Sequence, residues 1–523
     1  MLRRNLLATT VLAAGFITSA YADDIARSVP PDRHHYSRAP IAADFNPLRG
    51  KKQQPSNNFK FTIVDAIVNN SDANLKTTDK FDNTEVSIGI NPLHTENITM
   101  TSFDEFWSAP GAAASLWFSN KMGQSWDRNF SINAPPGVDV IGNGPADQTI
   151  DYTTSNGLAG VFLNAAEEAH LYAALAVNPS KGPFNWFVQD GVAQPVDHLA
   201  QTDDVDQPWL LVGPVPMSSG GAENVYVAYD DFVHSSARVA VATVNGNNPL
   251  NFTIDNSPGQ ITGGPNPGLR LAIDKKSGAV YSAFQQTTAI DLESGSSNIN
   301  FVLNRSTDGG KTWGIGESPL GVLIANTDVI LARVQPGSQK FCTVNALLGG
   351  IDHIAVDPTN GDVLYVYGRL DPGRGNQLIM QRLREMQGQI FQIGDEKILA
   401  EADSAMPSIA VADNGSIGLF YYSCNGIDLS GFPSLTAHFD ISTDGGATFI
   451  PNELVTFLSP EKDNGDSRQR VLGDYMQTKV AGNTFYGGFT AAGIAFGRTI
   501  VSSDPIFFSV PVDQLVSAQV AQR

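Results

Sequence analysis

A chain of 523 residues with 42% hydrophobic and 16% charged side chains can bury a large core, which excludes a coiled coil and a disordered polymer. Its length suits one large repeat domain with short extensions. A net charge of −20 repels phosphate backbones and anionic lipid, so nucleic acid is excluded as a partner and the surface suits solubility outside the cell.

Residues 1–22 read as a secretory signal. Arg3 and Arg4 form the charged start, residues 6–20 are apolar but too short to span a bilayer, and Ala20-Tyr21-Ala22 is a small-x-small cleavage site. Arg3-Arg4-x-Leu-Leu also loosely matches a twin-arginine leader. No later run has the length of a membrane helix. The expected product is secreted or periplasmic after cleavage near Ala22, monomeric, and not inserted in a membrane. Residues 23–80 form a polar lead-in, with His34-His35 read as solvated. Phe59-Lys60-Phe61-Thr62-Ile63-Val64 is read as one strand that docks on the main body.

A repeat follows: a short strand, a polar turn, then an aromatic-rich strand. Gln207-Pro208-Trp209-Leu210-Leu211-Val212 leads to Val225-Tyr226-Val227-Ala228-Tyr229, and Ile351-Asp352-His353-Ile354-Ala355-Val356 to Val363-Leu364-Tyr365-Val366-Tyr367. Unit starts fall near Glu85, Gln148, Gln207, Pro267, Ile351, Pro407 and Asp474, a mean spacing of roughly 65 residues. Each unit supplies four antiparallel strands that bury too little alone, and radial packing solves that. The expected fold is all-β: a seven-bladed β-propeller of four-stranded antiparallel blades over residues 81–515, with a tail at 516–523. Six blades remain open if the unit at Gln148 or Glu85 is misread. The longest interval carries extra material at about residues 318–349, which holds Cys342. Cys342 and Cys424 are too few for a zinc site and suit one disulfide in an oxidising compartment, although the sequence leaves their pairing open. Helix is scarce. Residues 164–169 read as a short helical turn, and residues 512–516 as a last strand or a frayed end.

Ser306-Thr307-Asp308-Gly309-Gly310-Lys311-Thr312-Trp313 recurs as Ser442-Thr443-Asp444-Gly445-Gly446-Ala447-Thr448-Phe449. A worn copy, Ser119-Asn120-Lys121-Met122-Gly123-Gln124-Ser125-Trp126, has lysine in place of the aspartate. The aspartate can accept backbone N–H groups, glycine takes positive φ, and the aromatic anchors the next strand. This frame resembles the Asp box, or BNR repeat, of sialidase-like β-propellers, and the chain looks like a secreted bacterial member. The resemblance implies that Asp308 and Asp444 sit on blade-edge turns and are structural.

Ligand sites of propellers collect where inner strands meet one channel mouth. The candidate catalytic residues are therefore Arg470, Asp474 and Tyr475, with Arg270, His353 and Asp206 on other inner strands. Arginine forks a substrate carboxylate, aspartate serves as acid or base, and tyrosine as nucleophile or proton donor. The structural alternative is that Asp474 caps a strand start and Tyr475 packs between blades. Asp203-Asp204-x-Asp206 could bind calcium, although it lacks the glycine-turn spacing of a calcium loop and a solvated loop is the alternative. No cofactor is expected. Asp463-Asn464-Gly465-Asp466 reads as a plain turn.

The resemblance implies three arginines on a substrate carboxylate, a Tyr–Glu pair and an aspartate acid/base. Its Arg-Ile-Pro motif has no match here; the nearest imitation is Arg38-Ala39-Pro40. The expected function is a carbohydrate-active enzyme on acidic or terminal sugars, a sialidase-like glycoside hydrolase or relative, with a carbohydrate or glycoconjugate as partner. One alternative is a non-catalytic glycan- or protein-binding propeller. Another is a polysaccharide lyase on the same fold, using Arg270, His353, Arg470 and Tyr475.

Overall fold

Runs such as Glu223–Asp231 are apolar on both faces, because each blade is sandwiched between two others and buries both sides of its sheet. The structure, a computed structural model, describes residues 59–103, 107, 115–140, 144–166, 168–216, 221–261, 268–291, 296–330, 340–401, 403–466 and 469–512. The leader, His34-His35, Arg38-Ala39-Pro40 and the tail beyond Val512 lie outside the described residues.

Seven antiparallel sheets form seven blades. Their innermost strands, blades 1 to 7, are Ser87–Ile90, Gln148–Tyr152, Val205–Pro214, Leu269–Ile273, Asp352–Val356, Ser404–Val411 and Gln477–Ala481. Short polar side chains stitch this ring together. Ser87 Oγ donates to Gln477 Oε1 (2.8 Å) and accepts from Ile150 N (3.0 Å). Thr149 Oγ1 accepts from Leu210 N (2.8 Å), and Ser408 Oγ accepts from Thr478 N (2.8 Å).

The ring closes at blade 7. Thr62–Asp65, which overlaps the stretch expected to dock and runs one residue past it, pairs with Ser503–Pro511 as the outermost strand of that blade. Asp65 then accepts Ile67 N (2.8 Å) and Val68 N (2.9 Å) through Oδ1 as the chain turns away. Blade 5 departs from four strands. Two short strands, Gln389–Gln392 and Lys397–Ala400, share the flank of Gly375–Met386. The short helical turn expected at residues 164–169 is replaced, among the described residues, by the ends of two strands, Leu158–Ala165 and Ala169–Ala176, which pair antiparallel and are buried along most of their length. The one α-helical turn among the described residues is Leu75–Thr78.

Both full copies of the Ser-x-Asp repeat lie between the third and fourth strands of their blades, blade 4 and blade 6. Asp308 accepts from Ser306 Oγ (2.9 Å), Thr312 N (2.9 Å) and Thr312 Oγ1 (2.6 Å). Asp444 repeats this with Ser442 Oγ (2.8 Å), Thr448 N (2.8 Å) and Thr448 Oγ1 (2.6 Å). In blade 1, where Lys121 replaces the aspartate, Ser119 Oγ still accepts from Gly123 N (3.0 Å) and Trp126 Nε1 donates to Gly123 O (3.0 Å).

Candidate functional site

Inner strands repeat radially, so residues at their starts gather at one end of the central channel. The six residues singled out by sequence lie there. Arg470 pairs with Asp474 and lies 3.4 Å from Glu85 Oε1. A bulge at Asp206 to Trp209, with Gln207 at φ 55°, directs Gln207 Nε2 to Asp474 Oδ2 (3.1 Å). Tyr475 donates to Gln148 O (3.1 Å), accepts from Gln148 N (2.9 Å) and meets Trp209 edge-on. The Arg270 guanidinium lies 4.6 Å over the Trp209 ring and donates to Leu269 O (2.8 Å). His353 packs edge-on to Trp209 and accepts from Ile409 N (3.3 Å) at Nδ1. Asp206 adds its charge to the cluster around Glu85, Asp147 and Arg470.

Sequence reasoning missed Glu85, Asp147 and Asp230. Glu85, Asp147 and Asp474 bring carboxylate oxygens within 4.8 Å of one another. Burial pushes Glu85 up to about 8, with the Asp474 charge adding to it and Arg470 opposing it. Asp147 and Asp230 are also driven well up, by burial first and then by neighbouring carboxylates. Neither oxygen of Asp230 has a hydrogen-bond partner among the described residues. Asp352 rises to about 6 through burial, although Arg270, Gln285 Nε2 (2.9 Å) and Tyr365 OH (3.0 Å) favour its charge. Burial, then Arg270, pulls His353 down to about 3.

These groups are closed off. Glu85 is 1% exposed, Asp474 0% and Tyr475 2%. The cover is the chain at residues 340–351, the end of the long insert between blades 4 and 5. Lys340 Nζ donates to Asp463 Oδ1 (2.7 Å) and Gln469 Oε1 (2.9 Å). Asn345 donates to Gly473 O (2.9 Å) and accepts from Leu472 N (2.8 Å), while Leu348 N donates to Asp474 Oδ1 (3.4 Å). Cys342 and Cys424 form a disulfide that ties this cover to blade 6. Asp463-Asn464-Gly465-Asp466 is the expected turn, with Gly465 N on Asp463 Oδ1 (2.9 Å).

A second place is open. A cleft of about 550 Å³ lies between the blade 5 strand Lys397–Ala400 and blade 6. Its blade 6 wall carries Tyr421 and His438, directly opposite each other on neighbouring strands, their rings stacked at 4.6 Å and 9°. Tyr421 OH donates to Asp440 Oδ2 (3.1 Å), and Asn452 N donates to Asp440 Oδ1 (3.0 Å). Ser423 Oγ lies 2.8 Å from His438 Nε2. Phe449, the aromatic that ends the second copy of the Ser-x-Asp repeat, also lines the cleft, with Lys397 Nζ 5.7 Å from its ring centre. Burial raises Asp440 to about 6 and lowers His438 to about 4. Ser404 borders the cleft, but its hydroxyl is buried and meets no hydrogen-bond partner among the described residues.

No family model matches the chain, and no curated protein matches it in sequence. Among solved structures it is similar to a protein of unknown function from Dyadobacter fermentans, at 12% identity over 86% of this chain and 99% of that one, TM-score 0.39. It is also similar to the Dos1 propeller, at 10% identity over 82% of this chain and 93% of that one, TM-score 0.36. A third is a family PL25 polysaccharide lyase, an ulvan lyase, at 12% identity over 78% of this chain and 91% of that one, TM-score 0.36. No described helix is long and apolar enough to cross a membrane.

Proposed function

We propose that the protein is an exported, carbohydrate-active propeller that holds a saccharide in the cleft between blades 5 and 6. The observation that carries this reading is the cleft itself, with a volume of about 550 Å³, inside the range of roughly 300–1,000 Å³ typical of small-molecule sites. Sugar rings offer a flat C–H face and a rim of hydroxyls. Tyr421, His438 and Phe449 supply aromatic surface, and Asp440 and Ser423 supply polar groups beside it. Export is supported by the Arg3-Arg4 leader with its small-residue cleavage site, and by the Cys342–Cys424 disulfide. For Arg270, Arg470, Asp474 and Tyr475 we propose a holding role, since their polar groups are spent on neighbouring blades and on the cover.

The test is saturation-transfer NMR of the processed chain against neutral, uronate-bearing and sialylated oligosaccharides. Transfer to one class, lost in Tyr421→Ala, is expected; no transfer to any class overturns the reading.

Turnover is a second reading, favoured by the hydrogen-bonded Tyr421–Asp440 pair beside His438. A carboxyl near 6 titrates where general acid/base work is effective. New reducing ends would mark a hydrolase, and an unsaturated, ultraviolet-absorbing product would mark a lyase. Binding without either product leaves the protein a lectin-like binder.

A further inference from the structure

The channel mouth is short of hydrogen-bond donors. Glu85 Oε1 and Asp474 Oδ2 are taken by Arg470, and Gln207 Nε2 also donates to Asp474 Oδ2. Glu85 Oε2, Asp147 Oδ2 and Gln207 Oε1 are buried and meet no donor among the described residues. A buried acceptor left this way destabilises the fold, a charged one most. The charges do not balance either: Glu85, Asp147, Asp206 and Asp474 surround the Arg470 guanidinium, and Arg270, which also acts on Asp474, is shared with Asp352 and Asp230. A cation supplies what is missing, since it satisfies acceptors without needing a donor.

The spacing fits. Two oxygens bound to one calcium ion at about 2.3–2.6 Å each lie at most about 5 Å apart. The three carboxylates offer oxygens within 4.8 Å of one another. They are all oxygen ligands, the hard donor set of calcium or magnesium rather than zinc or copper. They come from the starts of blades 1, 2 and 7. We propose that Glu85, Asp147 and Asp474, with the amide oxygen of Gln207, bind one divalent hard cation of the calcium class at the channel mouth.

Such an ion ties the first and last blades together at the end of the channel, a closure separate from the Thr62–Asp65 strand at the outer edge of blade 7. Of the acidic trio weighed for calcium from the sequence, only Asp206 joins this cluster; Asp203 and Asp204 give their carbonyls to Ala169 N and Phe232 N. The rival is a proton, because Asp147 lies within hydrogen-bonding reach of Glu85. The inference stands apart from the saccharide reading.

The experiment measures metal content of the purified chain, then thermal unfolding before and after chelation, with calcium, magnesium or buffer added back. About one divalent ion per chain is expected, with a melting temperature that falls by several degrees on chelation and returns with calcium. Asp147→Asn, nearly isosteric, should lose at least half of the calcium-dependent shift. Terbium gives a readout that needs no variant: bound here, near Trp209 and Tyr475, it should emit on excitation of those rings and be displaced by calcium. A metal-free chain whose melting temperature ignores all added ions and which sensitises no terbium overturns the proposal, and assigns the cluster to a shared proton. So does a calcium shift that is the same size in Asp147→Asn.

Discussion

At the channel mouth a guanidinium sits 4.6 Å over Trp209, and Tyr475 spends its hydroxyl on both backbone groups of Gln148. In the blade 5–6 cleft Tyr421 and His438 stack at the same 4.6 Å, yet they line open volume. Both places pair aromatic rings with carboxylates whose proton affinity burial has raised. They differ in what lies above them. Residues 340–351 cross the mouth and give it backbone partners, whereas the cleft between Lys397–Ala400 and blade 6 stays open. Convergence of reactive side chains and access for a ligand are therefore separate properties. The first follows from the ring of inner strands; the second depends on edges and inserts.

The largest expected effect is at the mouth. Arg270→Met removes the charge opposite buried Asp352, and should cost about 3–5 kcal/mol in denaturant unfolding, the usual result of breaking a buried charge interaction. Saccharide binding in the cleft should stay unchanged. A loss of less than about 1 kcal/mol would mean that the guanidinium is not what holds blades 4 and 5 together there.

Opening the cover comes next. Removing both cysteines, Cys342→Ser with Cys424→Ser, should cost about 2–4 kcal/mol and speed hydrogen exchange at residues 340–351. Unchanged exchange would separate the cover from its disulfide.

A pH effect sharpens the contrast further. Folded His353 stays neutral to about pH 3, while the unfolded imidazole protonates near 6.5. The unfolded chain thus binds one more proton in that window, and stability falls as pH drops through it. Asp352, raised to about 6, works in the opposite direction between 3.8 and 6. Melting temperature against pH should therefore fall less steeply between pH 6.5 and 3 in His353→Gln than in the wild type. Parallel curves would deny that the histidine is held neutral.

The smallest effect belongs to the rim. Asp308→Ala deletes three hydrogen bonds in an exposed turn, and about 1 kcal/mol is expected, near the net worth of one such bond. Ser119 without an aspartate already holds the blade 1 turn, which argues against a larger loss.

Much of this was legible beforehand. The Asp boxes set the register, because their contacts are local: Asp308 and Asp444 bond no farther than four residues away. The acid cluster was half legible. Glu85, Asp147, Asp206 and Asp474 each stand at the head of a unit, so aligning the units would have stacked four carboxyls at one mouth. The insert hid the rest. Asn345 meets Gly473 across 128 residues, and no local pattern encodes a contact of that range. The Tyr421–His438 stack follows from cross-strand register once the blade is known. The cleft beside it lies between the edge strand Lys397–Ala400 and the next blade, a spacing that apolar alternation does not specify.

The most direct test of the account is a calorimetric titration of the saccharide class that binds, into wild type, Tyr421→Ala and Asp474→Asn. The account predicts a loss of roughly tenfold or more, about 1.4 kcal/mol, in Tyr421→Ala. It predicts affinity in Asp474→Asn within about twofold of the wild type. Binding that survives Tyr421→Ala and vanishes in folded Asp474→Asn would contradict it, and would move the ligand site to the channel mouth.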